Sequence, residues 1–223
     1  MANVFPFRDT SHRIYHTQPC GCRTEASVIT NPSEVQGAWR RGWTLDVHTT
    51  SSVFLGYDQY GHAQYDTTRS PIGELVYQLK YRGQQTAAEV AAVMADFFDN
   101  KLNALARIDI IIPMPASSVR SIQPVAQIAK ELGRKLNKPV VADTIRKIRK
   151  TPGLKNIHDP EMRRELLDDA FEVNPARVNG KGVLLIDDLY RSGATANAVT
   201  VALTSAGASR VYFLAATRTR SNA

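Results

Sequence analysis

Val183–Thr195 reads VLLIDDLYRSGAT. An apolar run ends in two adjacent acids, Asp187 and Asp188. A short loop of small hydrogen-bonding residues follows (Arg191, Ser192, Gly193, Ala194, Thr195), and then a helical pattern begins. A continuous apolar run of this kind is typical of a central parallel strand, buried on both faces. In open α/β sheets ligands bind beyond the carboxyl ends of such strands. Gly193 allows a tight turn that exposes consecutive N–H groups. With the Ser192 and Thr195 hydroxyls these amides form an anion cradle at a helix N-terminus. Two carboxylates just upstream would repel the same anion, so they suit vicinal hydroxyls, or a Mg²⁺ held directly or through water. Acids for hydroxyls followed by a cradle for phosphate describe a reader of ribose 5-phosphate. The chain contains neither GxxxxGK[ST] nor GxGxxG, so a Walker loop and a dinucleotide fingerprint are excluded.

Outward from this stretch, helix and strand patterns alternate. Thr86–Leu102 is helical, with Thr86 and Glu89 spaced as a capping box, and Ile108–Ile112 is a buried strand. Ile122–Leu136 is helical, and Val140–Val141 and Ala170–Val173 are short strands. Ala194–Ala206 is a helix closed by Gly207, and Arg210–Ala215 is the final strand. This spacing predicts an α/β fold: an open, mostly parallel twisted sheet with helices on both faces, at residues 86–223. Residues 1–85 are read as an N-terminal hood. There, Trp43–Val47 and Ser52–Tyr57 are strand-like, 57–61 is a hairpin turn, and Gln64–Thr67 is a return strand. Ser70-Pro71 opens a helix with Leu75, Val76 and Leu79 on its apolar face, ended by Gly83. The hood aromatics Trp39, Trp43, Tyr57, Tyr60 and Tyr65 read as packing for a small sheet, with stacking on a base as the rival.

The 223 residues are 43% hydrophobic and 22% charged, which suits a globular core rather than a disordered chain. No run approaches the ~18 apolar residues that cross a bilayer. The N-terminus lacks an apolar signal segment, so the expected compartment is the cytoplasm and no membrane partner is expected. The net charge is +7, and residues 146–164 hold seven Lys/Arg against Asp159 and Glu161. Charge so concentrated suits a mobile loop closing over phosphates better than a broad nucleic-acid groove, which is not favoured. A solvated basic loop is the plain alternative. His12, His16, Cys20 and Cys22 form H-x3-H-x3-C-x-C. That spacing is unusual for zinc, and reduced thiols beside surface histidines are the preferred reading. Two cysteines cannot form a disulfide framework.

At DDLYRSGAT the sequence resembles the type I phosphoribosyltransferases, whose signature for 5-phosphoribosyl 1-pyrophosphate (PRPP) is an apolar strand followed by DDxxxTGxT or a variant. Ser192 stands in place of the first Thr. IDIIIPMPASS (108–118) agrees with the family's pyrophosphate loop, where Pro115, Ala116, Ser117 and Ser118 would sit, with Arg120 adding charge. GELVYQLKYRG (73–83), the basic IRKIRKTPG (145–153) and RRELLDDAFEV (163–173) extend the resemblance to a competence-associated, ComF-like sub-family related to amidophosphoribosyltransferases. The resemblance implies a Mg²⁺-dependent phosphoribosyltransferase that displaces pyrophosphate from PRPP with an unidentified acceptor, a nucleobase being one candidate. Asp187, Asp188, Arg149 and Lys150 would be catalytic, with Asp187 and Asp188 also on the metal. Asp187, Asp188, Arg191, Ser192, Gly193, Ala194, Thr195, Pro115, Ala116, Ser117, Ser118 and Arg120 would bind PRPP. In purine-salvage relatives an acid at the Arg191 position handles a proton. A guanidinium cannot, so 6-oxopurine salvage is disfavoured and Arg191 reads as a phosphate contact. The alternative is a non-catalytic PRPP- or nucleotide-sensing module, linked to DNA uptake and acting through a protein or nucleic-acid partner. A homodimer is compatible with either.

Overall fold

The computed structural model describes residues 28–99, 105–116, 123–149, 159, 162, 166–167 and 169–220. Its centre is a five-stranded sheet built from β1 (Ser33–Val35), β2 (Arg41–Val47), β5 (Ile110–Pro113), β8 (Gly182–Tyr190) and β9 (Arg210–Arg218), in the order β1-β2-β9-β8-β5. β2, β9, β8 and β5 run parallel, and β1 closes one edge antiparallel to β2. Gly182 to Ile186 are buried without a break, as expected of a strand covered on both faces.

Strand alternation divides the core into two clusters. Leu184, Ile186, Tyr212 and Leu214 face helices α1 (Pro71–Tyr81), α2 (Ala87–Asp99) and α3 (Pro124–Leu136). Val183, Leu185, Val211 and Phe213 face the short α4 (Pro175–Val178), the helix α5 (Ala194–Ser205), and a small antiparallel pair, β6 (Ile145–Lys147) with β7 (Phe171–Val173). The mostly parallel sheet with helices on both faces is thus present.

Part of the segment read as the hood packs with the main sheet. β2 is a strand of the main sheet, pairing with β9 from Arg41↔Tyr212 to Val47↔Arg218. α1 supplies Ile72, Val76 and Leu79 to the same core as α2 and α3. Trp39 stacks on Phe213 at 4.7 Å between centroids in one cluster, and Trp43 stacks on Tyr212 at 6.4 Å in the other. Within this region the hairpin β3 (Thr49–Tyr57) with β4 (Ala63–Arg69) forms a sheet of its own. Its turn is set by Asp58, whose Oδ1 accepts from the backbone N–H of Tyr60 and of His62. Tyr57, Tyr60 and Tyr65 are exposed there.

Ser70 caps α1 as read, its Oγ accepting from Gly73 N at 3.1 Å with Pro71 in the first turn. Thr86, read as half of a capping box, instead donates its hydroxyl to the Leu75 carbonyl at 2.7 Å. The proton of this hydroxyl ties the start of α2 to α1, while the Thr86 carbonyl accepts from Val90 N at 3.0 Å. Val140–Val141 contributes a single parallel bridge, Ile111↔Val140, rather than a strand. Among the described residues no helix is long and apolar enough to cross a membrane.

Candidate functional site

The carboxyl ends of β5, β8 and β9 meet at the acidic doublet. Pro113 pairs with Ile186, and Met114 N donates to the Ile186 carbonyl at 2.8 Å, so Pro115 and Ala116 leave the sheet beside Asp187. After β8 the chain turns at Gly193, whose φ of 73° is left-handed and whose added Cβ would lie 2.8 Å from the Tyr190 ring. Only glycine fits both demands. α5 then starts at Ala194 with no side-chain cap. Its first N–H groups are therefore open donors at the positive end of the helix dipole. Ser192 and Arg191 are exposed at the loop, and Ala194 and Thr195 are half-buried in the first turn.

The two acids occupy different environments. Successive strand side chains point to opposite faces, so Asp187 continues the row of Val183 and Leu185 toward α5, and Asp188 the row of Leu184 and Ile186 toward α1. Asp187 Oδ1 accepts from the Asp188 N–H at 2.8 Å. Loss of water around its carboxyl group, and then the charge of Asp188, push its pKa up to about 8, while the Asp188 amide and Lys80 pull against them. Asp188 is buried and forms an ion pair with Lys80 of α1, Nζ to Oδ2 at 2.7 Å. Thr217 Oγ1 donates to the Asp188 carbonyl at 2.8 Å and lies 3.2 Å from His48 Nδ1. Having one proton, already given to Asp188, the hydroxyl accepts from His48, which fixes the imidazole proton on Nδ1. Burial, followed by Lys80 and Arg69, lowers the His48 pKa and keeps the ring neutral.

The structure thus gathers Asp187, Asp188, Arg191, Ser192, Gly193, Ala194, Thr195, Pro115 and Ala116 at one end of the sheet. Arg149 is exposed beyond β6, and its neighbour Arg146 is engaged with Glu172 at 2.6 Å. Ser117, Ser118, Arg120, Lys150 and the four candidate zinc ligands His12, His16, Cys20 and Cys22 lie outside the described residues. Lys80, His48 and Thr217 lie outside the motifs that mark the site in the sequence. For Lys80 the sequence held a signal: Ile72, Val76 and Lys80 recur every four residues, which puts a cation on the buried stripe of α1. Among the described residues no group of three or more His, Cys, Asp or Glu side chains could hold a metal.

No protein-family model matches the chain, and no curated protein matches it. Among solved structures it is similar to an adenine phosphoribosyltransferase from Leishmania tarentolae, with 12% identity over 84% of this chain and 94% of the other, at a TM-score of 0.46. It is also similar to the glutamine PRPP amidotransferase of B. subtilis, with 16% identity over 70% of this chain and 34% of the other, at 0.41. The allosteric regulatory enzyme of purine biosynthesis matches at 18% over 70% and 33%, at 0.39. The chain spans about a third of the length of these last two.

Proposed function

We propose that the chain binds PRPP at the carboxyl ends of β5 and β8 and transfers its phosphoribosyl group to an acceptor, releasing pyrophosphate. One observation carries this reading: a buried strand that carries Asp187 near its carboxyl end, followed by a left-handed glycine that opens an uncapped helix. The acid accepts hydrogen bonds from pentose hydroxyls. The open amides, with Ser192 and Thr195, receive the 5-phosphate. Pro115 and Ala116 leave the sheet beside Asp187, and the segment they open would carry the pyrophosphate.

In such a transfer the C1–O bond to pyrophosphate breaks, a bond from C1 to the acceptor forms, and positive charge develops on the ribosyl ring. Asp187 holds the ring by its hydroxyls and fixes C1 relative to the pyrophosphate loop. Arg120, Arg149 and Lys150 are assigned to the leaving group, where cations stabilise developing negative charge. Closure of the basic segment would exclude water from the activated sugar. Mg²⁺ fits here as an ion carried by the ligand. Asp188 is already paired, whereas Asp187 is a desolvated acid with no direct ion-pair partner among the described residues, so it would join the oxygens of PRPP in holding the cation. When bound, the ion neutralises pyrophosphate charge.

A second reading, a PRPP or nucleotide sensor, has one observation in its favour. The loop after β8 offers no group to take a proton from an acceptor: Arg191 is a guanidinium, and the Tyr190 phenol, pushed up by burial, packs against Trp39 and Phe213. Pyrophosphate release from PRPP and Mg²⁺, with nucleobases supplied singly, separates the two. Release in the wild type that disappears in Asp187→Ala combined with Asp188→Ala supports transfer. PRPP binding without release leaves the sensor, and no binding rejects both.

A further inference from the structure

We propose that the two acids of the doublet have separate tasks: Asp187 meets the ligand, while Asp188 and Lys80 form a charge-neutral unit that positions the end of β8. Lys80 is therefore a positioning residue. This division rests on the PRPP reading above and departs from treating the doublet as a pair of equivalent ligand contacts.

The first support is placement. Asp188 shares the face of the sheet that carries Leu184 and Ile186 and that α1 covers, and Asp187 shares the opposite face, with Val183 and Leu185, which α5 covers. The second is pairing. Its Oδ2 lies 2.7 Å from Lys80 Nζ, with side chains only 8% and 18% exposed, within the range of a charge-assisted hydrogen bond. Turning Asp188 toward a ligand would take from Lys80 its direct ion-pair partner and leave it only the more distant charge of Asp187, while Glu74 of the same helix is held by Arg69 at 3.3 Å. Arg69 is itself stacked on Tyr77, 3.5 Å from the ring centroid.

The third support is that both partners are rigidly held. His48, Thr217 and the Asp188 carbonyl form a hydrogen-bonded chain across the ends of β2, β9 and β8, and His48 N donates to the Arg218 carbonyl at 2.7 Å. α1 is fixed to the end of β2, because Ser70 Oγ bonds both Gly73 N and the Val47 carbonyl. Gly73 sits so close to β2 that an added Cβ would lie 2.2 Å from the His48 carbonyl oxygen. Lys80 is thus presented from a helix that has no room to slide. Neutralising Asp188 leaves one carboxylate rather than two beside a ligand that carries phosphate and pyrophosphate, and an unpaired second one would repel it.

The test is calorimetric titration of PRPP with Mg²⁺ into the full chain as wild type, Asp187→Asn, Asp188→Asn, Lys80→Met and the double Lys80→Met/Asp188→Asn, with a melting curve for each. Asp187→Asn should weaken binding by about tenfold or more, because Asn cannot give up a proton to become the carboxylate that accepts from the pentose hydroxyls and meets Mg²⁺. Asp188→Asn should cost at least tenfold less affinity than Asp187→Asn. Lys80→Met should weaken binding by leaving a buried carboxylate uncompensated, and adding Asp188→Asn should restore it to the level of Asp188→Asn alone. If Lys80→Met does not fold, the comparison of Asp188→Asn with the double variant still decides, since neither buries an unpaired carboxylate at 188. Equal losses at the two acids overturn the inference and leave the PRPP reading standing. A double variant weaker than Asp188→Asn also overturns it, since Lys80 would then touch the ligand. A wild type that does not bind PRPP overturns the reading and the inference together.

Discussion

Asp187→Asn should make the protein progressively more stable than the wild type as pH rises. In the folded chain, desolvation and the neighbouring Asp188 charge push the Asp187 pKa up to about 8 from an ordinary 3.8. Between those values the native state holds a proton that the unfolded chain has released. The stabilising contribution of this group is therefore complete below about pH 4 and is lost as pH rises through about 8. Linkage limits the slope to about 1.4 kcal/mol per pH unit, so up to about 3 kcal/mol separates pH 5 from pH 7. The Asn side chain keeps an oxygen to accept the 2.8 Å bond from the Asp188 amide and cannot ionise. The difference between variant and wild type thus isolates the carboxyl charge, because the Lys80–Asp188 pair is common to both. Urea unfolding at pH 5, 6, 7 and 8, followed by fluorescence of the buried Trp39 and Trp43, reads this difference directly. A difference that is flat across the series, or that falls with rising pH, refutes the desolvated placement of Asp187.

Two backbone predictions accompany it. Gly193→Ala forces a Cβ onto a residue at φ 73° and to 2.8 Å from the Tyr190 ring, and should cost about 1–3 kcal/mol in urea unfolding and weaken phosphate binding. Gly73→Ala places a Cβ 2.2 Å from the His48 carbonyl oxygen, a backbone atom that cannot move aside alone. It should destabilise by about 1–3 kcal/mol through overpacking, seen as a lower melting temperature, and loosen Lys80 from Asp188.

What the sequence made legible was local. The apolar run of β8, its acids, the glycine and the helix that follows are consecutive, so spacing alone orders them. The hairpin β3–β4 and the Ser70-Pro71 start of α1 are equally local, each set by turn or capping chemistry. β2 was harder to place because its partner β9 lies far along the chain and nothing in RGWTLDV specifies parallel pairing. Thr44 and Asp46 give it the alternation of a half-exposed strand, yet Thr44 is buried against the sheet. The separation of Asp187 from Asp188 follows from strand pleating and was available in principle. The partner of Asp188 was not, since Lys80 reaches it only through the docking of α1 on β2. Thr86 shows the two together: it stands at the start of α2 as its spacing predicts, and its hydroxyl donates to the Leu75 carbonyl that only packing brings to it.

Crystals soaked with PRPP and Mg²⁺ examine the central claim most directly. The account predicts electron density for the 5-phosphate against the amides of residues 193–195 and for the ribose hydroxyls on the Asp187 carboxylate, with Lys80 still on Asp188. Density for PRPP at any other place on the chain, or an empty cradle at saturating ligand, would contradict it.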